Sequence, residues 1–149
     1  MSLVYNYAKY NFVTGNLNWE SVGTTWKIML VTTGYTADPD HQYVSDVSSY
    51  EASGTGYAPG YGGSGRISLS GRSVTTNLTT DKAYMDANDI TWYGINAGYI
   101  GGAIIYREAG GADSASNLVA YINGGGFPVL TNGGDLTTSW SASGILNVV

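Results

Sequence analysis

Tyr99-Ile100-Gly101-Gly102-Ala103-Ile104-Ile105-Tyr106 and Asn117-Leu118-Val119-Ala120-Tyr121-Ile122 are two apolar runs rich in β-branched and aromatic residues. The loop Gly110-Gly111-Ala112-Asp113-Ser114 lies between them. Runs of this composition joined by a glycine-bearing turn read as a hairpin of two core strands. Upstream, Trp26-Lys27-Ile28-Met29-Leu30-Val31-Thr32 has the same character and reads as a central strand. Shorter candidates surround these three: Ile67, Leu69 and Val74 alternating with polar residues, then Ala83–Ala87, Ile90–Tyr93, Val129-Leu130, Leu136–Trp140 and Gly144–Val149. Many short strands with turn residues between them and little helix predict an all-β, antiparallel jelly-roll or β-sandwich. No repeat of 20 to 50 residues is visible, which argues against propellers and solenoids.

One short N-terminal helix is expected over residues 1–15, where i, i+4 spacing puts Val4, Ala8 and Phe12 on one face and Gly15 stops the turn. Residues 35–65 lose periodicity and fill with Gly, Ser, Asp and Pro. They read as a long surface loop with one helical turn near Tyr43–Val47. Its glycine-rich centre, Gly54–Gly65, is either flexible or ordered against a neighbouring subunit. The 149 residues are expected to form a single domain around one core.

Charged residues make up only 11% of the chain, whereas 22 residues are Gly. A surface so poor in charge is expected to be partly covered by a partner. The net charge of −5 and the six scattered Lys and Arg residues argue against nucleic-acid binding. There is no Cys, hence no disulfide framework and no thiolate chemistry. The first fifteen residues lack the basic and apolar regions of a signal peptide, and no apolar run has the length of a membrane span.

The single histidine lies in Asp38-Pro39-Asp40-His41, whose residues are adjacent in a turn rather than spaced to converge on a metal. There is no Gly-x-Ser-x-Gly elbow and no phosphate-binding glycine motif. Glu20, Glu51 and Glu108 are the only glutamates available for a pair of glycosidase carboxylates. Asp81, Asp86 and Asp89 fit strand ends better than a calcium site. No catalytic residue, metal or cofactor is therefore assigned. Trp19, Trp26, Trp92 and Trp140, with thirteen Tyr, leave a sugar-stacking platform open, although Trp26, Trp92 and Trp140 fall in or beside predicted strands.

A collinear set of motifs carries a resemblance: Tyr35-Thr36-Ala37-Asp38-Pro39-Asp40, Val44-Ser45-Asp46-Val47, Tyr50–Tyr57, Asp86–Trp92, Leu118–Asn123 and Trp140–Leu146. In this order they resemble small structural proteins of tailed bacteriophages, and among those the capsid decoration (cement) proteins. The resemblance implies a jelly-roll or sandwich that sits as a dimer or trimer on a symmetry axis outside the virion capsid and clamps the major capsid protein. Such a protein is made in the host cytoplasm and binds neither membrane nor nucleic acid. A tail or tail-tip component and a carbohydrate-binding module are the alternatives. The expected partner contacts are Tyr7 and Tyr10 on the helix and Tyr57 and Tyr61 on the loop, where aromatic rings meet adaptable backbone.

Overall fold

The computed structural model describes residues 2–148. In chain order they form β1 (Ser2–Val4), α1 (Asn6–Val13), β2 (Thr25–Thr32), β3 (Ile67–Ser68), β4 (Ser73–Asn77), β5 (Lys82–Asp86), β6 (Ile90–Trp92), β7 (Tyr99–Glu108), β8 (Asn117–Ile122), β9 (Val129–Leu130), β10 (Leu136–Thr138) and β11 (Leu146–Val148). All pairings between these strands are antiparallel. The fold is an all-β sandwich with one short helix near its N-terminus.

The main sheet has the order β1-β8-β7-β2-β3, with β9 also on β7. The predicted hairpin is its centre: Ile104 pairs with Tyr121 and Ile105 with Ala120, and a bulge then leaves Val119 unpaired before Tyr106 meets Leu118. Because directly opposed residues share a face, Trp26, Ile28 and Leu30 line up with Ile105 and Ala103 on one side, and Met29 with Ile104 and Tyr121 on the other. Both faces are buried, which is why β7 and β8 read as continuous apolar runs rather than alternating ones.

The first face is covered by α1 and, through Trp19, by the small sheet β11-β5-β4, while the small sheet β10-β6 is tied to the segment before β3 by the Trp92 indole N–H, which donates to the Gly65 carbonyl at 2.7 Å. Trp26 packs on Phe12, ring centroids 6.4 Å apart, and edge-on against Trp19 at 4.9 Å. Trp19 in turn donates its indole N–H to the Asp86 carbonyl of β5 at 2.9 Å, so one ring ties the layers together. The second face is covered by the segment between β2 and β3. Tyr35 meets Tyr121 edge-on at 5.0 Å, and the Arg66 guanidinium lies 5.7 Å from the centre of the Tyr106 ring.

Two expectations are corrected here. The helix does not fill residues 1–15: Leu3 and Val4 belong to β1, where Val4 pairs with Ala120, and α1 begins at Asn6. Ladder hydrogen bonds to β8 outweigh one extra helical turn. The segment 35–65 is largely exposed and irregular, as expected of a surface loop, but parts of it turn inward. Val44, Val47, Ala52 and Tyr57 within it are buried in the common core, and its helical turn is a 3-10 turn at Val44–Asp46. Ala52 donates its N–H to the Leu30 carbonyl and Val31 bridges Glu51, so the segment extends the sheet edge beyond the point where β3 ends.

Candidate functional site

Of the four tyrosines expected to contact a partner, two come together. Tyr7 and Tyr10 are three residues apart on α1, hence on one face, and their rings stack at 6.2 Å with an interplanar angle of 10°. Tyr43 joins them, its ring 5.9 Å from Tyr7. Tyr10 is 59% exposed, and Tyr7 and Tyr43 are half-buried behind it. This strip stands on a braced support. Asn6 donates its backbone N–H to the Pro39 carbonyl at 2.8 Å and its side-chain amide to Asp40 at 2.8 Å. Below them the Tyr5 and Tyr35 hydroxyls are 2.8 Å apart, and Tyr35 also reaches His41 Nδ1 at 3.2 Å. Asp38-Pro39-Asp40-His41 thus serves as a turn that fastens the helix to the covering segment. The signal that could have revealed Tyr43 was the helical turn already expected there, since a turn packed against α1 brings its first aromatic to the helix face.

Tyr61 is 44% exposed and forms no ring pair with the strip among the described residues. Tyr57 is the correction. It is only 1% exposed and belongs to the interior. Its hydroxyl accepts the Leu30 N–H at 2.9 Å and donates to Glu51 Oε1 at 3.1 Å, so it completes the hydrogen bonding of the β2 edge. A Cβ on Gly65 would fall 2.5 Å from the Tyr57 ring; glycine there is what lets the ring lie flat on the chain. The glycine-rich segment is therefore ordered against its own domain.

Glu51 anchors a buried ionic cluster. Arg66 donates from Nε to Glu51 Oε1 at 2.8 Å and from Nη2 to Glu51 Oε2 at 2.6 Å, while Nη1 reaches Asp113 Oδ1 at 2.6 Å. The Arg66 side chain is wholly buried and that of Glu51 is 3% exposed. Burial works against the Arg66 charge, but the hydrogen bonds it donates to Glu51 and Asp113 outweigh it and hold its pKa above the ordinary value. The cluster pins the covering segment to the β7–β8 connection. The other glutamates are also engaged: Glu20 accepts the Val74 N–H of β4 at 2.9 Å, and Glu108 pairs with Lys27 at 2.7 Å. Asp86 accepts the Ala87 N–H and Asp89 that of Trp140, both as strand-end caps. Among the described residues, no group of three or more His, Asp or Glu could hold a metal ion.

A cleft of about 480 Å³ opens between the β8–β9 connection, β10 and the turn before β11. Phe127 and Trp140 line it with aromatic rings, Leu136 is an aliphatic lining residue, and Thr138 and Ser139 bring hydroxyls; no charged residue lines it. Trp19, Trp26 and Trp92 are core residues, but Trp140 is half-buried at this cleft. No helix among the described residues is long and apolar enough to cross a membrane. No protein-family model, curated protein or solved structure matches the chain.

Proposed function

We propose that this chain is a non-enzymatic assembly subunit, a capsid decoration protein of a tailed phage that binds the major capsid protein from outside the shell and acts there as a dimer or trimer. The observation that carries the reading is the tyrosine strip Tyr7-Tyr10-Tyr43, an exposed aromatic edge on a cross-braced base. Rigid tyrosines contribute apolar area and a polar tip at little entropic cost, which is why such residues dominate protein interfaces. A standard contact of about 800 Å² per partner would take up roughly a tenth of the 7337 Å² surface. Repeated around a symmetry axis, contacts of this size give near-permanent attachment without covalent chemistry.

The reading is tested by the copy number of the protein in purified particles, measured by mass spectrometry against the major capsid protein. A simple ratio amounting to hundreds of copies is expected. A few copies per particle would place the protein in the tail, and its absence from particles would end the virion reading. On such particles Tyr10→Ala is expected to lower occupancy by roughly tenfold or more at limiting protein, as loss of an aromatic anchor does, while leaving the melting temperature of the free domain unchanged.

A further inference from the structure

The cleft between the β8–β9 connection and β10 is separate from the tyrosine strip, and its chemistry is narrow. With no charged side chain in its lining, it offers nothing to neutralise a phosphate or carboxylate. Its aromatic rings would stack on an apolar face, and its rim carries hydroxyls that hydrocarbon ligands would leave unused. Trp140 is held in place: its backbone N–H goes to Asp89 Oδ1 at 3.1 Å and its indole N–H to the Asn88 carbonyl at 3.0 Å. The polar atom of the ring is thus spent within the protein, and the ring surface is what remains for a ligand. Beside Phe127, Gly124, Gly125 and Gly126 contribute backbone alone to the lining, and Gly125 and Gly126 have φ of +68° and +126°, conformations that residues with side chains avoid. The volume of about 480 Å³ lies within the range of small-molecule sites, roughly 300–1,000 Å³.

We propose that this cleft binds a neutral sugar ring, stacked on Trp140 and Phe127 and hydrogen-bonded by the Thr138 and Ser139 hydroxyls and the Gly125-Gly126 backbone. A pyranose has the required combination of an apolar face and a hydroxyl rim without charge. A binding function of this kind stands whether or not the protein decorates a capsid.

The test is a titration of the intact, ¹⁵N-labelled protein with methyl α-glucopyranoside, methyl β-galactopyranoside and N-acetylglucosamine, each to about 50 mM. At least one should shift the Trp140 indole and the Gly125 and Gly126 amides saturably, with Kd of roughly 1–10 mM, as expected for so few ligand atoms. Glucuronate and inorganic phosphate should give no saturable shift at these positions. Trp140→Ala should weaken binding at least about tenfold. Because Trp140 also packs against the core, Ser139→Trp is the second variant; it fills the cleft from an exposed position, leaves the Trp140 hydrogen bonds intact, and should abolish binding at an unchanged melting temperature. Failure of all three neutral sugars to bind, or full binding by Ser139→Trp, would overturn the proposal.

Discussion

The Tyr57 hydroxyl and the Arg66 guanidinium converge on one carboxylate, Glu51, and this fixes what their substitution costs. Tyr57→Phe keeps the ring over Gly65 but leaves the Leu30 N–H without an acceptor, so urea unfolding should show a loss of about 1–3 kcal/mol. Tyr57→Ser also removes the ring and should cost more, about 3–5 kcal/mol. Arg66→Met strands a buried carboxylate and should cost about 3–5 kcal/mol. A double variant with Glu51→Gln should recover part of that loss, because it removes the uncompensated charge. If Arg66→Met were neutral, the cluster would not hold the covering segment. By contrast the Tyr10 ring is mostly exposed and, among the described residues, stacks only on Tyr7, and Tyr10→Ala should stay within about 0.5 kcal/mol.

At the scale of elements, β4 differs from the rest of the sandwich: all five of its residues are exposed and it pairs only with β5. Such an edge invites pairing with another chain. Glu20 blunts it by taking the outward Val74 N–H and placing a charge beside the edge. Glu20→Ala should therefore speed hydrogen exchange at Val74 by about fivefold or more while costing under about 1 kcal/mol globally, since β4 opens as a local unit. Equal acceleration across β7 and β8 would show instead that β4 opens only with the core. Helix α1 has the opposite character. It carries no side-chain cap, and it is held by tertiary contacts, Tyr5 N–H to the Val119 carbonyl at 3.1 Å and Asn6 to Pro39.

Across the whole molecule, buried phenols set the response to alkali. Burial raises the pKa of Tyr5 and Tyr106, and burial together with the Glu51 charge raises that of Tyr57. A raised folded-state pKa means that these groups ionise first in the unfolded chain, near pH 10. Their contribution is thus complete below about pH 10 and is lost above it, at up to about 1.4 kcal/mol per pH unit for each tyrosine. Stability measured by urea unfolding should be flat from about pH 8 to 9.5 and fall steeply beyond about pH 10; Tyr57→Phe should reduce that slope by about one tyrosine's share. A slope unchanged in Tyr57→Phe would mean that this phenol ionises as easily folded as unfolded.

The three central strands of the main sheet were legible in the sequence because β2, β7 and β8 are long enough, and apolar enough, for local composition to identify them. With the shorter strand candidates around them, these residues established an all-β, antiparallel chain with a single short helix, and the absence of cysteine excluded disulfides as a source of its stability. The limits of that reading fall where partners are distant. Val4 satisfies both a helical i, i+4 spacing with Ala8 and a strand position opposite Ala120, and only the presence of β8 selects the strand. Glu51 and Arg66 are 15 residues apart and Arg66 and Asp113 are 47, so no local pattern marks them as one cluster. Without that cluster a glycine-rich stretch looks like a surface loop; with it, Tyr57 turns inward and the segment becomes one wall of the core. Which tyrosines face solvent, and which tryptophan lines the cleft, were settled by tertiary packing, because exposure belongs to the side of a layer left uncovered and not to the residue itself.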